Sequence, residues 1–549
     1  MAENDLHAVA FPKFSEAKLA AMGRCSLTKL RRYRAGEKLF EVGETGLHFY
    51  VVKSGEVDIV DVTGDEPRVL VVHRAGQFAG DIQQLNGGPA LVTAVAKTDC
   101  EAYEVSPDGL RELVNNHPDL GDLILQAFLA RRQLLTAPGN FTGLRVIGSR
   151  YSQDTFRVRE FLAKNRMPFT WLDLEADPQV AQLLKQFELT EADTPVVACG
   201  RTVLLRNPSD MQLAETLGIR RPLEQMVYDL VVVGSGPAGL AAAVYGASEG
   251  LSTIVLERSG PGGQAGRSMR IENYLGFPFG ITGAELADKA VMQANKFGAR
   301  LPVPTPVTSM TFDNGYKLLH LDGGETVTAK CVLIATGAEY RRLGVAGCEP
   351  LEGRGVYYAA TPNEATMCRG SEVLVVGGGN SAGQAAVYLG GNCRKVYLLV
   401  RGDDLYKNMS SYLAHRIEQA ATIEVLLNTE VTRMSGDGHL GEVEIVNRKT
   451  GQKRTIQTPA LFSFIGAVPR TDWLPAEVER DDKSFVRTGP ALAKSPHWRA
   501  RRHPFLLETS RAGVFAAGDV RSESVKRVAS AVGEGSMAVQ FVHEYLKEM

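Results

Sequence analysis

Val231-Val232-Val233-Gly234-Ser235-Gly236-Pro237-Ala238-Gly239 is the stretch on which the reading of this chain turns. Three β-branched residues suit a strand buried on both faces, and the small-residue run that follows, AAAVYGASEG, suits a helix packed closely against it. Gly234 makes the tight turn, Gly236 lets backbone approach a pyrophosphate, and Gly239 lets helix lie on strand. The helix N-terminus adds unpaired amides and a positive dipole end. The next strand, STIVLE, ends at Glu257, 18 residues beyond Gly239, where a carboxylate can accept hydrogen bonds from a ribose. Strand, turn, helix and acid in this order specify a dinucleotide site. A glycine turn with a purely structural role is the alternative.

A second copy follows at 373–401: VLVVGGG, then NSAGQAAVYL, then VYLLVRG, with Gly377, Gly379 and Ala382 at the small-residue positions. Its second strand ends in Arg401 rather than an acid, and a cation there suits the 2′-phosphate of NADP. Asp403 and Asp404 nearby pull the other way. NADPH is the expected partner of this turn, with NADH the alternative.

Upstream the texture changes twice, with linkers expected near Pro138-Gly139-Asn140 and Arg220-Arg221-Pro222. Between residues 31 and 106, short apolar runs (LFEVG, FYVVKSG, VDIVDV, RVLVV, EAYEV) alternate with Gly or charged turns, the pattern of a small β-barrel or sandwich. A helix is expected over Leu110–Leu135. From 144 the order is strand (LRVIG), helix (DTFRVREFLAKN), strand (FTWLDL), helix (VAQLLKQF), strands around TPVVACG and TVLL, and a last helix, a compact α/β unit.

The 549 residues predict three to four domains. Lys and Arg number 61 against 63 Asp and Glu, a net charge of -2, which gives no electrostatic case for nucleic acid or an anionic membrane as partner. No apolar run approaches the ~20 residues needed to span a bilayer. The seven cysteines are scattered, with no CxxC, and the opening MAENDLHAVAF lacks the layout of a signal peptide, so a cytoplasmic protein is expected. The ten histidines form no HxxxH or HxH pair, and no metal site is proposed.

Residues 228–549 resemble the low-molecular-weight thioredoxin reductase family of flavoproteins, through GSGPAG, GPGGQA at 260–265, IENYLGFP at 271–278, ITGAELADKA, LIATGA at 333–338, GGGNSA and FAAGDV. The resemblance implies an FAD domain in two pieces, 226–342 and 465–549, with an NADPH domain, 343–464, inserted between them. It assigns FAD contacts to Gly234, Gly236, Pro237, Ala238, Gly239, Glu257, Gln264, Asn273, Ala335, Asp519, Lys526, Arg527 and Val528, and NADPH contacts to Gly379, Asn380, Ser381 and Arg401. It implies a homodimer as well.

The family's redox CxxC falls here at Ala359 and Pro362, and neither residue can be a thiolate nucleophile. Cys368 lies close in sequence, without a partner for two-electron storage; it, Cys348 and Cys393 read as buried small hydrophobes. Residues 143–220 resemble a thioredoxin or glutaredoxin-like fold, with Thr194-Pro195 placed like that family's cis-proline loop and Ser149-Arg150-Tyr151-Ser152 in place of its CxxC. A packing or docking role is the plainer use of this unit. Residues 1–138 resemble the cyclic-nucleotide-binding family through AGEKLFEVGETGLHFYVVKSGEVDIVD and AGQFAGDIQQLNGGPALVTAVA, with Gly43, Gly55 and Gly76 at barrel turns. Gly80-Asp81 stands for that family's Gly-Glu pair, while Ala90 and Leu91 stand where an Arg would pair with the cyclic phosphate. A cyclic nucleotide, another small effector, or a structural role all stay open for this domain.

The fold class expected is therefore multidomain: an N-terminal β-barrel, a thioredoxin-like α/β unit, and two Rossmann-like nucleotide-binding domains. The leading functional reading is an NADPH-oxidising FAD oxidoreductase that passes electrons to an acceptor other than its own dithiol, such as a redox protein, a quinone or oxygen. A reductase acting on a partner's disulfide is the second reading, and a regulatory protein that holds flavin without turnover is the third. The basic run Trp498-Arg499-Ala500-Arg501-Arg502-His503 reads as a solvated loop or a docking patch for an acidic partner.

Overall fold

In the computed structural model, which describes residues 3–64, 66–136, 143–178, 180–199, 202–224 and 226–549, the apolar runs before residue 106 form two antiparallel four-stranded sheets. One holds Thr28–Tyr33, Cys100–Val105, Phe49–Ser54 and Phe78–Ala79 in that order; the other holds Lys38–Phe40, Thr93–Ala96, Glu56–Asp61 and Arg68–Arg74. Alternate residues of these strands, Tyr50, Val52, Val57 and Ile59 among them, meet in one core. Gly55 has φ +83°, and a Cβ there would lie 2.5 Å from the carbonyl oxygen of Asp99, so this turn admits only glycine.

The helix expected over Leu110–Leu135 is two helices, Pro107–Asn116 and Pro118–Thr136. Pro118 lacks the amide hydrogen that would continue the first, and it restricts His117, which sits at φ -126°, ψ 81°. The corner is tight: a Cβ on Gly121 would lie 2.4 Å from the carbonyl oxygen of Val114. The linker expected at Pro138-Gly139-Asn140 lies outside the described residues. That at Arg220-Arg221-Pro222 is not a solvated tether. Arg220 pairs with Glu215 and Glu325, and the partly buried Arg221 donates to Asn86 Oδ1 at 3.1 Å.

Residues 143–220 carry a mixed sheet in the order Thr170–Asp173, Leu144–Gly148, Val196–Cys199, Thr202–Arg206, whose first pair is parallel. Helices Gln153–Lys164, Val180–Gln186 and Asp210–Thr216 accompany it, and the Thr194–Pro195 peptide is cis. Two lobes follow. In the first, Thr253–Leu256, Val227–Val233 and Thr326–Ile334 are parallel, Val514–Ala516 from the far end of the chain pairs parallel with Thr326–Ile334, and Tyr316–Leu321 and Val307–Asp313 extend the sheet antiparallel. In the second, all five strands are parallel: Val356–Tyr357, Leu461–Ser463, Glu372–Val376, Lys395–Val400 and Ile423–Leu427. Near-continuous Val, Ile and Leu runs suit such sheets because helices cover both faces. The chain crosses between lobes twice, at Ala338–Tyr340 and Ala467–Pro469, which pair antiparallel.

The basic run at 498–503 is partly consumed within the fold. Arg502 forks onto the fully buried Glu508, at 2.6 and 3.0 Å, lies 3.8 Å from the Phe505 ring centroid and also pairs with Glu548. Glu508 accepts the amides of Phe505 and Gly513 as well. Removing one member of a buried pair leaves an uncompensated charge, so Glu508→Ala should lower the stability of this lobe by about 3 kcal/mol or more. A shift of its urea midpoint measures this; an unchanged midpoint would show the pair to be idle.

Candidate functional site

The first glycine turn has the geometry its sequence calls for. Gly234 has φ +101°, and a Cβ there would meet the carbonyl oxygen of Ala335 at 2.5 Å. At Gly239 a Cβ would lie 1.9 Å from the carbonyl oxygen of Gly234, which shows how closely helix Pro237–Ser248 lies on the turn. Gly236 is different: the nearest atom to a Cβ would be Gly263 Cα at 3.9 Å, so the space before it is open. Gly236 caps the helix, Pro237 takes its first position, where a missing amide hydrogen costs nothing, and Ala238 is buried beneath. Ala335 is buried and donates its amide to Val233 at 2.9 Å, holding the adjacent strand end in register.

Glu257 faces this turn. Its carboxylate accepts the amide and hydroxyl of Ser235, at 2.9 and 2.6 Å, and the amide of Ser259 at 3.0 Å. Gln264, in the loop that packs its Gly263 against Gly236, donates to the carbonyl of Ala338. Asn273 is exposed on the loop closed by the Ile271–Ile281 bridge. From the far end of the chain comes Asp519, whose partial burial raises its carboxyl above the usual range. Lys526 donates to the Asp519 carbonyl at 3.2 Å, Arg527 caps helix Val528–Leu546, and Val528 opens it. That helix is tied to the first, since a Cβ on Gly535 would lie 2.1 Å from the carbonyl oxygen of Ala238. Two helix N-termini, an open glycine and a carboxylate on a strand end fit a dinucleotide with a pyrophosphate.

The second turn repeats the logic. A Cβ on Gly377 would lie 2.8 Å from the carbonyl oxygen of Phe464, and Gly379 caps helix Asn380–Gly390. Asn380 Oδ1 accepts the amide of Ser410 at 2.7 Å, and Ser381 Oγ accepts the hydroxyl of Tyr340 at 2.8 Å. Arg401 is exposed just past strand Lys395–Val400. Tyr340 stands on the crossing strand, so its hydroxyl links the two lobes; burial raises its pKa.

Between the lobes lies a cavity of about 430 Å³, lined among others by Gln264, Arg267, Tyr340, Ala359, Ser381 and Phe464. Ala359 is thus on its wall, and Pro362 starts the short helix Pro362–Met367. Cys368 shares a buried core with Cys393, a neighbour 25 residues away that sequence proximity did not suggest; burial pushes the Cys368 thiol up and that of Cys393 to about 11. No disulfide joins any of the seven cysteines.

Three groups were invisible to motif reading. Ser235 and Ser259 hold the Glu257 carboxylate, Tyr340 reaches Ser381 in the other lobe, and Glu534 accepts the amide of Gly518 at 2.7 Å while pairing with Arg521. Only the place of Ser235 inside the glycine turn offered a signal.

The α/β unit touches both lobes. Lys164 donates to Ser259 Oγ at 3.1 Å and Arg166 pairs with Asp288 on the first lobe, while Tyr151 stacks on His439 of the second at 4.3 Å and Gln153 donates to the Glu352 carbonyl. In the N-terminal domain, Asp81 Oδ2 pairs with Arg132 at 3.1 Å, and the carbonyl of Gly80 accepts from Arg131. Ala90 faces the core between the two sheets, whereas Leu91 packs into the core of the α/β unit with Val146 and Phe161.

Comparison with known proteins adds to this geometry. The family model for pyridine nucleotide-disulphide oxidoreductases matches residues 228–535, and that for cyclic nucleotide-binding domains matches residues 30–117. A thioredoxin reductase of Bacillus subtilis is 34% identical over 327 residues, 59% of this chain and 97% of the relative. Among solved structures, thioredoxin reductase of Lactococcus lactis in its FR conformation is similar at 30% identity and TM-score 0.53, over 59% of this chain and all of the other. That of T. acidophilum is similar at 30% identity and TM-score 0.52, over 58% and 98%.

Proposed function

Because the chain belongs to the pyridine nucleotide-disulphide oxidoreductase family, as an FAD-dependent NAD(P)H oxidoreductase of the thioredoxin reductase-like kind, we propose that it oxidises NADPH and hands the electrons to an acceptor from outside the chain. The observation that carries this reading is Ala359: the position of the family's first redox cysteine lines the interlobe cavity as a methyl group. FAD, when bound, supplies acceptance of a hydride from the nicotinamide and its onward release. The balance is one NADPH, one proton and one two-electron acceptor giving NADP⁺ and the doubly reduced acceptor.

The chain's own residues bind and orient. The turn from Gly234 to Gly239, with Glu257, Gln264, Asn273 and Ala335, is proposed to hold the FAD nucleotide, and Asp519, Lys526, Arg527 and Val528 its far end. Gly379, Asn380, Ser381 and Arg401 are proposed for NADPH. Tyr340, bonded to Ser381 at 2.8 Å, would keep the two sites in fixed relation, the condition under which proximity lowers a barrier. Arg267, at the cavity wall, is held in place by its ion pair with Glu160 of the α/β unit.

Around this centre we propose three supporting parts. The α/β unit, which we read as thioredoxin-like without CxxC, with its mixed four-stranded sheet as support, serves as a strut docked on both lobes. The N-terminal domain serves as an effector module. A homodimer is the assembly that the resemblance implies, and the cytoplasm is the compartment that the scattered cysteines support. A second reading has its own support, since the relatives are named thioredoxin reductases: a partner's disulfide would then be the acceptor.

Anaerobic titration separates these. One equivalent of NADPH should bleach the flavin absorbance, a quinone such as menadione should restore it, and oxidised thioredoxin should not. Recovery with thioredoxin would favour the second reading. Failure to bleach at excess NADPH would leave only a flavin-holding regulatory protein.

A further inference from the structure

Three arginines from three parts of the chain meet where the Arg220-Arg221-Pro222 segment passes from the α/β unit to the first lobe. Arg111, on helix Pro107–Asn116 of the N-terminal domain, donates to the Leu85 carbonyl at 3.1 Å. Arg221 donates to Asn86 Oδ1 at the same distance, so the two guanidinium groups are held on consecutive residues. Arg300, bridged to strand Thr253–Leu256 of the first lobe, pairs with Glu224, three residues beyond Arg221.

The carboxylates around them are unevenly shared. Asp108 takes Arg111 and Glu224 takes Arg300, both from exposed side chains. Glu215 and Glu325 are held by Arg220. Arg221 is left with one partner among the described residues, the neutral amide oxygen of Asn86.

Its surroundings make that shortage costly. Arg221 is partly buried, and its Nε is enclosed without a hydrogen-bond partner, so water does not stand in for the missing acceptor on that edge. Burial, then the charges of Arg300 and Arg111, all act against the cation and bring its pKa down to about 10, still well above neutrality. The charge therefore persists, partly stripped of water and facing two like charges, with nothing to repay its desolvation. Nη1 is the open edge: it donates to no group of the fold, and it is not enclosed as Nε is. Guanidinium N–H groups match the oxygens of a phosphate, which carries charge enough to compensate Arg221 and leaves the exposed pairs of its neighbours intact.

We infer that Arg221, flanked by Arg111 and Arg300, binds a phosphate group, free or carried on a small metabolite, at the junction of the N-terminal domain with the first lobe.

Thermal unfolding of the full flavin-loaded chain tests it, with inorganic phosphate and glycerol 2-phosphate as probes and sodium chloride of equal ionic strength as reference. A probe at about ten times its dissociation constant should raise the midpoint by about 3 °C over chloride. Arg221→Met keeps the stem and removes the charge; it should melt no lower than the unmodified chain in chloride and should lose the response, with calorimetry showing phosphate binding at least tenfold weaker. Arg300→Gln, on a more exposed side chain, should weaken binding about tenfold as well and carries the test if Arg221→Met does not fold. Phosphate lodged near Arg401 would persist in both variants, so the difference assigns the site. A response to both probes assigns it to the phosphate group itself, to inorganic phosphate alone the free ion, and to glycerol 2-phosphate alone a phosphorylated metabolite. Three results would overturn the inference: no response beyond that to chloride, a response that survives both substitutions, or an Arg221→Met chain that melts well below the unmodified one in chloride, which would show the charge to be already compensated. Stability and binding are the readouts, so the outcome is independent of the electron acceptor.

Discussion

Gly236→Ala should give a protein that folds normally and purifies without flavin. A Cβ at this position meets no protein atom closer than 3.9 Å, which is ordinary van der Waals contact. The added methyl group therefore meets no clash in the empty protein, and helix Pro237–Ser248, which Gly236 caps, loses about 1 kcal/mol or less. The methyl group does occupy the space through which backbone approaches a pyrophosphate. Overpacking a close contact costs up to about 3 kcal/mol, so FAD affinity should fall about 100-fold. Gly239→Ala is the contrasting variant: its Cβ would lie 1.9 Å from a backbone oxygen, so it should lose both flavin and fold. Visible absorbance per chain, alongside the urea midpoint of the flavin-free protein, distinguishes the two. If Gly236→Ala keeps its flavin, the first turn is not the FAD cradle.

Arg401→Gln should separate the two nicotinamide cofactors. Arg401 is exposed beyond the end of strand Lys395–Val400, and it stands where the first turn has Glu257. A hydrogen bond to a charged group is worth about 1.5 to 3 kcal/mol, so the KM for NADPH should rise about 10- to 100-fold with kcat little changed. The KM for NADH should stay where it is, because NADH has no 2′-phosphate to lose contact with. An equal rise for both would assign Arg401 to positioning the turn. No change for either would move the phosphate contact elsewhere, Lys407 being the nearest cation in sequence.

The nucleotide turns were legible in sequence because their requirements are local. Whether Gly239 can bear a side chain is decided by Gly234, five residues away, and whether Val231–Val233 is buried on both faces is decided by the composition of the run itself. The break at His117-Pro118 was legible too, in the proline, yet the apolar spacing on both sides overrode it in the reading of a single helix. What sequence did not disclose are pairings across topology. Tyr340 reaches Ser381 over 41 residues, Asp81 meets Arg132 over 51, and Tyr151 stacks on His439 across almost 300. Leu91 is the sharpest case. Its substitution for an arginine reads as a loss when the domain is considered alone, and only the packed structure shows the leucine filling the core of the next unit.

The burial of the cysteines bears on how such an enzyme could be poisoned. A thiol-directed reagent captures a thiolate, and capture needs both a low thiol pKa and access. Cys100, Cys331, Cys348, Cys368 and Cys393 have neither: all five are buried, and burial raises each thiol, that of Cys331 to about 12. The interlobe cavity presents a methyl group at Ala359 instead of a soft nucleophile. A chain built in this way offers thiol-directed reagents no cysteine to seize at the wall of its interlobe cavity.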